Sequence, residues 1–397
     1  AQAAGSSFLP HLGLIALRMA TLDEPSAADA PLSSKAREEE LQSGRACFKL
    51  IQPLFDGPLD IIGDIHGEAG SLQALLIRLG YDGNGRHPEG RHMVFVGDLV
   101  DRGPDSPGVV RLVRSLVERG VAQMILGNHE LNLLRGDRKH GNHWFYCETE
   151  QLCNTKAESS FPVAAPEAPT FQVLIETSAE RDEILEFLKK QPLALERKDL
   201  RVVHAMWHQE SVEKMRRFEG DAASAFSHYE DIIRKKLETE LKAASKDERD
   251  MAKQNENPVT VLTTGMEVPA KEPFFAGGKI RTLERYKWWE HYDGSAGLVV
   301  IGHYWRRLTS KVDVGFSPTG PPMFSEGEAP SLLGESQRVM CVDYSIGLRY
   351  EERGRSLEEG SLGTALTALR LPEMTLHFAD GLATIALGSP GSEACRA

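Results

Sequence analysis

Three apolar runs, each leading into a glycine and then into carboxylate, imidazole or amide side chains, constrain this chain more than any other feature. They are LDII before Gly63, HMVFV before Gly97 and VAQMIL before Gly127. Between the first two lies EAGSLQALLIRLGY, where Leu72, Leu75, Leu76 and Leu79 fall on one helical face and Gly80 ends the pattern. Between the second and third lies PGVVRLVRSLVERG, with Val109, Leu112, Val113 and Leu116 on one face and Gly120 behind them. Short buried-strand patterns alternating with amphipathic helices spell β-α-β-α-β, which implies a mostly parallel sheet with helices on its faces.

Ligands of such sheets gather outside the carboxyl ends of the strands. The segments at those ends are GDIHG (63–67), GDLVDRG (97–103) and GNHE (127–130). Asp64, His66, Asp98, Asp101, Arg102, Asn128 and His129 are therefore expected to converge. Carboxylates, imidazoles and an amide oxygen suit Zn, Mn, Fe or Ni. Two such ions about 3.5–4 Å apart need a shared ligand, and a carboxylate is the natural bridge. One GDxHG alone could be a turn with a chance histidine. Three segments in order, roughly 30 residues apart as βα units are, leave little room for that account.

Further along, TSAERDEILEFLKKQP reads as a helix with Thr177 and Glu180 at capping-box spacing. LRVVHAMW (200–207), GLVVIGHYW (297–305), RVMCVDYSIG and LTALRLPE read as strands. Residues 221–257 are highly charged, and Phe226, Tyr229, Ile233 and Leu237 lie near helical spacing, so an amphipathic helix acting as a lid or insertion is expected. KWWEHYDG is an aromatic packing cluster, and residues 140–170 and 313–336 read as loops. His140, His143, Cys147 and Cys153 fit no common zinc spacing. His208, His228 and His291 read as surface or packing residues.

The three segments resemble the signature of the calcineurin-like metallophosphoesterases. More narrowly, they resemble the branch holding the serine/threonine phosphoprotein phosphatases, the phage lambda phosphatase and the bacterial diadenosine tetraphosphate hydrolases. The resemblance covers roughly 58–135, 200–208 and 297–376. It implies an α/β fold of the α+β sandwich kind, two central β-sheets flanked by helices, over residues 46–397. A charged helical insertion at about 210–290 falls outside it. The family's two later histidines have counterparts in His204 and His303. His303 follows Gly302 as in the family, whereas Ala205 follows His204 where the protein phosphatases have glycine. Relatives ending in GHxH carry a histidine at the place of Trp305.

By that resemblance Asp64 and His66 hold one divalent ion, Asp98 bridges, and Asn128, His204 and His303 hold the second. Mn is the first expectation, with Fe, Zn or Ni compatible. A hydroxide held between the ions attacks phosphorus. Arg102 clamps phosphate oxygens beside Asn128 and His129, His129 is the general acid on the leaving oxygen, and Asp101 orients it. A second phosphate-contacting arginine is expected among Arg281, Arg285 and Arg306. CVDYSIG followed by LTALRLPE is similar to the closing strands of the diadenosine tetraphosphate hydrolases, and the SAPNY loop of the protein phosphatases is absent. The expected substrate is thus a dinucleoside polyphosphate or small nucleotide. A serine/threonine phosphoprotein is the alternative, and a non-catalytic metal-binding scaffold ranks last because Asp101, His129 and every expected ligand are present.

The formal net charge of −12 argues against bulk binding to nucleic-acid duplexes or anionic membranes. Five cysteines, sparse and odd in number, suggest no disulfide framework and fit a reducing cytoplasm. No run has the length of a membrane span, and FLPHLGLIALRMA, with no basic residue before it, makes a poor signal peptide. MATLDEPS from Met19 reads like a start, so residues 1–18 read as expression-derived or upstream sequence; residues 20–45, rich in Ala, Ser, Pro and Glu, extend this to a disordered or expression-derived tail over 1–45. Oligomeric state is not legible.

Overall fold

The LDII run is buried at all four positions, which is why it carries no polar alternation. In the computed structural model, which describes residues 48–139, 141–146, 172–276, 279–294, 297–308, 323–324, 330–349, 352 and 363–388, this run is the strand β2 (Leu59–Ile62). It pairs in parallel with β3 (His92–Phe95), and β3 in parallel with β4 (Ala122–Met124). The crossovers are α1 (Ala69–Leu79) and α2 (Ser106–Glu118). Gly80 closes α1 in the left-handed conformation, and Asp105 caps α2 by accepting from the Gly108 amide. On the other side of β2 run β11 (Thr367–Leu371), β12 (Thr375–Phe378) and β13 (Ile385–Ala386), all antiparallel. The resulting sheet has six strands in the order β13-β12-β11-β2-β3-β4.

A second sheet has five strands in the order β1-β5-β6-β9-β10. They are β1 (Ile51–Pro53), β5 (Ala194–Arg197), β6 (Leu200–Val203), β9 (Leu298–Ile301) and β10 (Val339–Cys341). The period-2 alternation of strands decides how the two sheets meet. Leu59, Ile61, Val94 and Ile125 of the first sheet and Leu195, Leu200, Val202, Leu298, Val300 and Met340 of the second form one buried cluster, so the sheets stack face to face. The intervening residues (Ile62, Met93, Phe95 and Met124; Val203, Val299, Ile301 and Cys341) point outward into the layer shared with the helices. This is the two-sheet sandwich flanked by helices that the resemblance implies.

Helix α3 (Asn128–Leu134) starts within GNHE, and a short α4 (His143–Tyr146) follows. Helix α5 (Ser178–Lys189) is capped by Thr177, which accepts from the Glu180 amide, while the Glu180 side chain bonds the Glu176 amide rather than completing the box. Between β6 and β9 the chain makes α6 (Gln209–Arg216), α7 (Ala222–Thr239), α8 (Lys246–Asn255) and α9 (Pro258–Thr264). The single helix expected over 221–257 is thus two. Ser245 and Glu248 form a capping box that restarts the chain as α8. The expected helical insertion also ends in a hairpin, β7 (Glu267–Ala276) paired antiparallel with β8 (Lys279–Arg285). The Gly-Gly pair between two extended runs is the sequence signal for it.

Among the described residues, no helix is long and apolar enough to cross a membrane. Cys341 is free and buried. Cys47, Cys147, Cys153, Cys395, His140, most of the 147–170 and 313–329 loops and the whole 1–45 tail lie outside the described residues.

Candidate metal centre

Parallel pairing puts the carboxyl ends of β2, β3 and β4 side by side, and the three motif loops leave from there. Their backbones are strained. His66, Asp98, Asp101, Arg102, His303 and Trp305 all have φ between 47° and 74°, a region that costs L-residues roughly 1–2 kcal/mol each. Main-chain bonds between the loops hold them there: the His66 amide donates to Asp98 O at 2.9 Å and the Gly103 amide to His66 O at 2.9 Å. Two glycines are needed by close approach. A Cβ on Gly127 would collide with Asp98 Oδ1, and one on Gly302 with Asp64 Oδ1.

Asp98 sits at the centre. Its Oδ2 lies 3.3 Å from His204 Nε2, 3.7 Å from His66 Nε2 and 3.9 Å from His129 Nε2. Ligand atoms of His66, Asp98 and His129 lie within 4.8 Å of one another, as do those of Asp98, His204 and His303. Asp98 alone is common to both groups. Asp64 falls outside them, its carboxylate accepting the His303 amide at 3.1 Å. His66 Nδ1 faces Val100 O at 2.9 Å and His204 Nδ1 faces Val96 O at 2.7 Å. Each carbonyl fixes Nδ1 as the protonated nitrogen, which turns the Nε2 lone pair inward. His66 Nε2, His204 Nε2, His303 Nε2 and Asn128 Oδ1 are all buried without a hydrogen-bond partner. Buried polar atoms are ordinarily satisfied, and four such orphans of metal-ligating type, three of them imidazole nitrogens grouped with Asp98, fit divalent cations.

The buried charges bear on that donor set unevenly, favouring the ligating form at His66, His303 and Asp98 and opposing it at Asp64 and His204. Burial holds His66 and His303 well below the usual imidazole range, so they are neutral, as ligands must be. Burial and the nearby Asp343 carboxylate push Asp64 well up. Burial opposes ionisation of Asp98, but the imidazoles of His204 and His129 outweigh it and hold the carboxyl well below its usual range. Burial likewise opposes charging of His204, yet the Asp98 carboxylate lifts it to about 10.

His129 differs from the other three histidines because its ring is fully partnered. Nδ1 lies 2.6 Å from Asp101 Oδ2, and Arg102 Nη2 approaches Nε2 at 3.3 Å. The other oxygen of Asp101 accepts from Trp144 Nε1 at 2.7 Å. The Arg102 guanidinium stacks on Trp305, 4.3 Å from the ring centroid, and its Nη1 is buried without a partner. Trp305 is fixed in turn by its amide, which donates to Asp343 Oδ2 at 2.8 Å. Among the three candidate second arginines, Arg285 Nη1 comes 3.4 Å from His303 O. Arg306 is buried between the Phe324 and Tyr344 rings and donates to Ser331 O, a structural use. Arg281 lines a cavity that Asn128 also lines.

Sequence reading assigned no role to Glu130, Trp144 or Asp343. Glu130 is fully buried, and its carboxylate accepts from the amides of Asp98 (2.8 Å), Leu99 (2.8 Å) and Gly127 (2.9 Å). It ties the second motif loop to the third. Burial pushes this carboxyl up to about 7, against the pull of its amide donors. His143 opens α4, His208 faces Ser211 Oγ, His228 lies between the Phe218 and Tyr229 rings, and His291 stacks on Tyr286.

Comparison with known proteins adds a likeness to this geometry. The model of the calcineurin-like phosphoesterases matches residues 57–234. The bis(5'-nucleosyl)-tetraphosphatase PrpE (asymmetrical) of Oceanobacillus iheyensis is 43% identical over 107 residues, covering 25% of this chain and 43% of the relative. The symmetrical bis(5'-nucleosyl)-tetraphosphatase of Ralstonia nicotianae is 45% identical over 87 residues, covering 21% and 28%. The chain therefore spans less than half the length of either relative. The crystal structure of a cold-active protein-tyrosine phosphatase from Shewanella is similar over 92% of this chain and 89% of that one, at 17% identity and a TM-score of 0.46, too distant to carry an argument.

Proposed function

We propose that the chain, whose residues 57–234 match the model of the calcineurin-like phosphoesterases, hydrolyses a phosphate ester or anhydride with two divalent cations, its substrate a dinucleoside polyphosphate or small nucleotide. The observation that carries this reading is the set of three unpartnered buried nitrogens, His66 Nε2, His204 Nε2 and His303 Nε2, gathered around Asp98, with Asn128 Oδ1 also buried and unpartnered. Asp98 would be shared between the two cations, Asp64 and His66 would complete the set that holds one, and Asn128, His204 and His303 the set that holds the other. Bound cations supply a water acidified to about pKa 7 and polarise the phosphoryl oxygens.

The remaining steps belong to the chain's own groups. Arg102, with Nη1 unpartnered, offers its fork to the phosphate oxygens, and Asn128 and His129 flank it. Nδ1 of His129 donates to Asp101, so its Nε2 is free to carry the proton that the leaving oxygen requires. In the resting arrangement Nε2 accepts from Arg102. Moving the guanidinium onto a phosphate would release Nε2 for protonation, and the Asp101 carboxylate stabilises the imidazolium so formed. Manganese is the first choice of ion, since hard carboxylate and amide oxygens share the site with imidazoles. A cytoplasmic setting agrees with a free, buried Cys341.

The test is a substrate panel with Mn²⁺: diadenosine tetraphosphate, mononucleotides, a phosphoserine peptide and a cyclic nucleotide. Cleavage of the dinucleotide with the highest kcat/KM is expected. Turnover of the phosphopeptide alone would overturn the substrate assignment, and turnover of none the catalytic one.

A further inference from the structure

Helix α3 carries a stripe that begins at the metal centre and leaves it. Asn128, Leu131, Asn132 and Arg135 follow at i, i+3, i+4 and i+7, one helical face, and all four line a cavity of about 490 Å³. The stripe runs about 10 Å, at 1.5 Å rise per residue. The opposite walls come from α8, α9 and the β7–β8 hairpin, the part of the chain outside the family resemblance. Asp247 of α8 and Thr282 of β8 are joined by a 2.7 Å hydrogen bond, so helix and hairpin form one wall.

We propose that this cavity is the nucleoside subsite, receiving the sugar and base of a nucleotide whose attacked phosphate lies at the Asp98 cluster; the inference rests on the phosphoesterase reading of that cluster. Its volume is that of a small-molecule site. Its two ends suit two chemistries. Asn128 joins it to the phosphate position, while at the far end the Arg135 guanidinium sits over the Phe226 ring, 3.5 Å from the centroid. Such stacks are platforms for bases. The walls carry both signs: Lys246 suits phosphate oxygens, Lys253 and Asp250 pair with each other at 3.3 Å, and the Asp247 carboxylate suits ribose hydroxyls, the pairing that acidic residues make in dinucleotide folds. A ligand with only anionic groups would meet those carboxylates unfavourably. A nucleotide presents an anion to the cations and hydroxyl or amino donors to the acids.

Two single variants test this, Asn132→Leu on α3 and Lys246→Ala on α8, each assayed with p-nitrophenyl phosphate and with diadenosine tetraphosphate in Mn²⁺. Each should raise KM for the dinucleotide about three- to tenfold, the size of one or two lost hydrogen bonds. Turnover of p-nitrophenyl phosphate, which reaches only the metal centre, should stay within about twofold. Equal effects on both substrates, or none on the dinucleotide, would overturn the subsite. So would a KM change confined to a phosphoserine peptide. If wild type turns over neither phosphate, the catalytic reading fails separately. Calorimetry with adenosine 5'-monophosphate then decides the cavity: binding that weakens in Asn132→Leu upholds it, and no binding to wild type rejects it.

Discussion

Replacing Glu130 by Gln should destabilise the protein without touching a ligand atom, and the size of the loss can be worked from three distances. The carboxylate accepts from Asp98 N, Leu99 N and Gly127 N at 2.8–2.9 Å, with Oε2 serving two donors and Oε1 one. A glutamine has one acceptor oxygen. In its better orientation the amide oxygen takes the place of Oε2 and its NH2 faces the Leu99 amide, donor against donor. One buried donor left unsatisfied costs about 1–3 kcal/mol, and the two remaining bonds lose the extra strength that an ionised acceptor gives. At pH 8 the burial that raises this carboxyl offsets part of the loss, because Gln carries no charge there, so roughly 1–2 kcal/mol follows, and at about 2–4 °C per kcal/mol for a domain of this size Tm should fall by roughly 2–8 °C. The melt is run at pH 8 in excess chelator, so that no metal term enters. Glu238→Gln, exposed on α7, is the control and should change stability by less than about 0.5 kcal/mol. Loaded with Mn²⁺, the Glu130→Gln variant should also bind metal more weakly, because the Asp98 loop is no longer tied to α3. A Tm within about 1 °C of wild type would mean that these amides find other acceptors, and the account of Glu130 as the tie between the motifs would be wrong.

Asp98→Asn should leave less than one metal ion per chain by elemental analysis and remove most phosphatase activity; full activity would end the bridging assignment. Asp101→Asn keeps shape and should keep metal content, but kcat should fall roughly 10²–10⁴-fold as His129 loses its carboxylate, read from kcat at saturating p-nitrophenyl phosphate. Trp305→Ala should raise KM for that substrate about threefold to thirtyfold, since a cation–π contact worth about 0.5–2 kcal/mol no longer holds Arg102, with Trp305→Phe restoring most of it. Chelation should lower Tm. Resupply of Mn²⁺ at a hundredfold excess over its Kd should return about 2.7 kcal/mol, by differential scanning calorimetry; no shift would argue that the orphaned donors bind nothing.

What the sequence made legible follows physical lines. Strands β2, β3 and β4 are buried on both faces and stopped by glycine, so their runs stand out, and parallel pairing then brings Asp64, His66, Asp98, Asn128 and His129 to one edge. Strand β1, three residues at the sheet edge ending in Pro53, and β5, apolar only at Ala194 and Leu195, carry too little pattern to be seen. The insertion misled because charge and helical spacing continue across the α7–α8 break, and only Ser245 and Glu248 mark it. Glu130 was inside a recognised motif, yet its task depends on amides 31 and 32 residues away. Trp144 meets Asp101 across 43 residues. Contacts of that kind come from the closed sandwich, and no local pattern encodes them.

The two sheets also divide the donors between them. Asp64, His66, Asp98 and Asn128 leave strands of the six-stranded sheet, whereas His204 and His303 follow β6 and β9 of the other. The distance from Asp98 to His204 is therefore a gauge of how one sheet sits on the other. Any cation held by both is a clamp across the sandwich, pulling on Val94, Val202 and Val300 beneath it. Slack introduced in that apolar seam would be transmitted to the donors as misalignment, so a methyl group removed deep between the sheets could detune the chemistry at the rim while every residue there stayed the same.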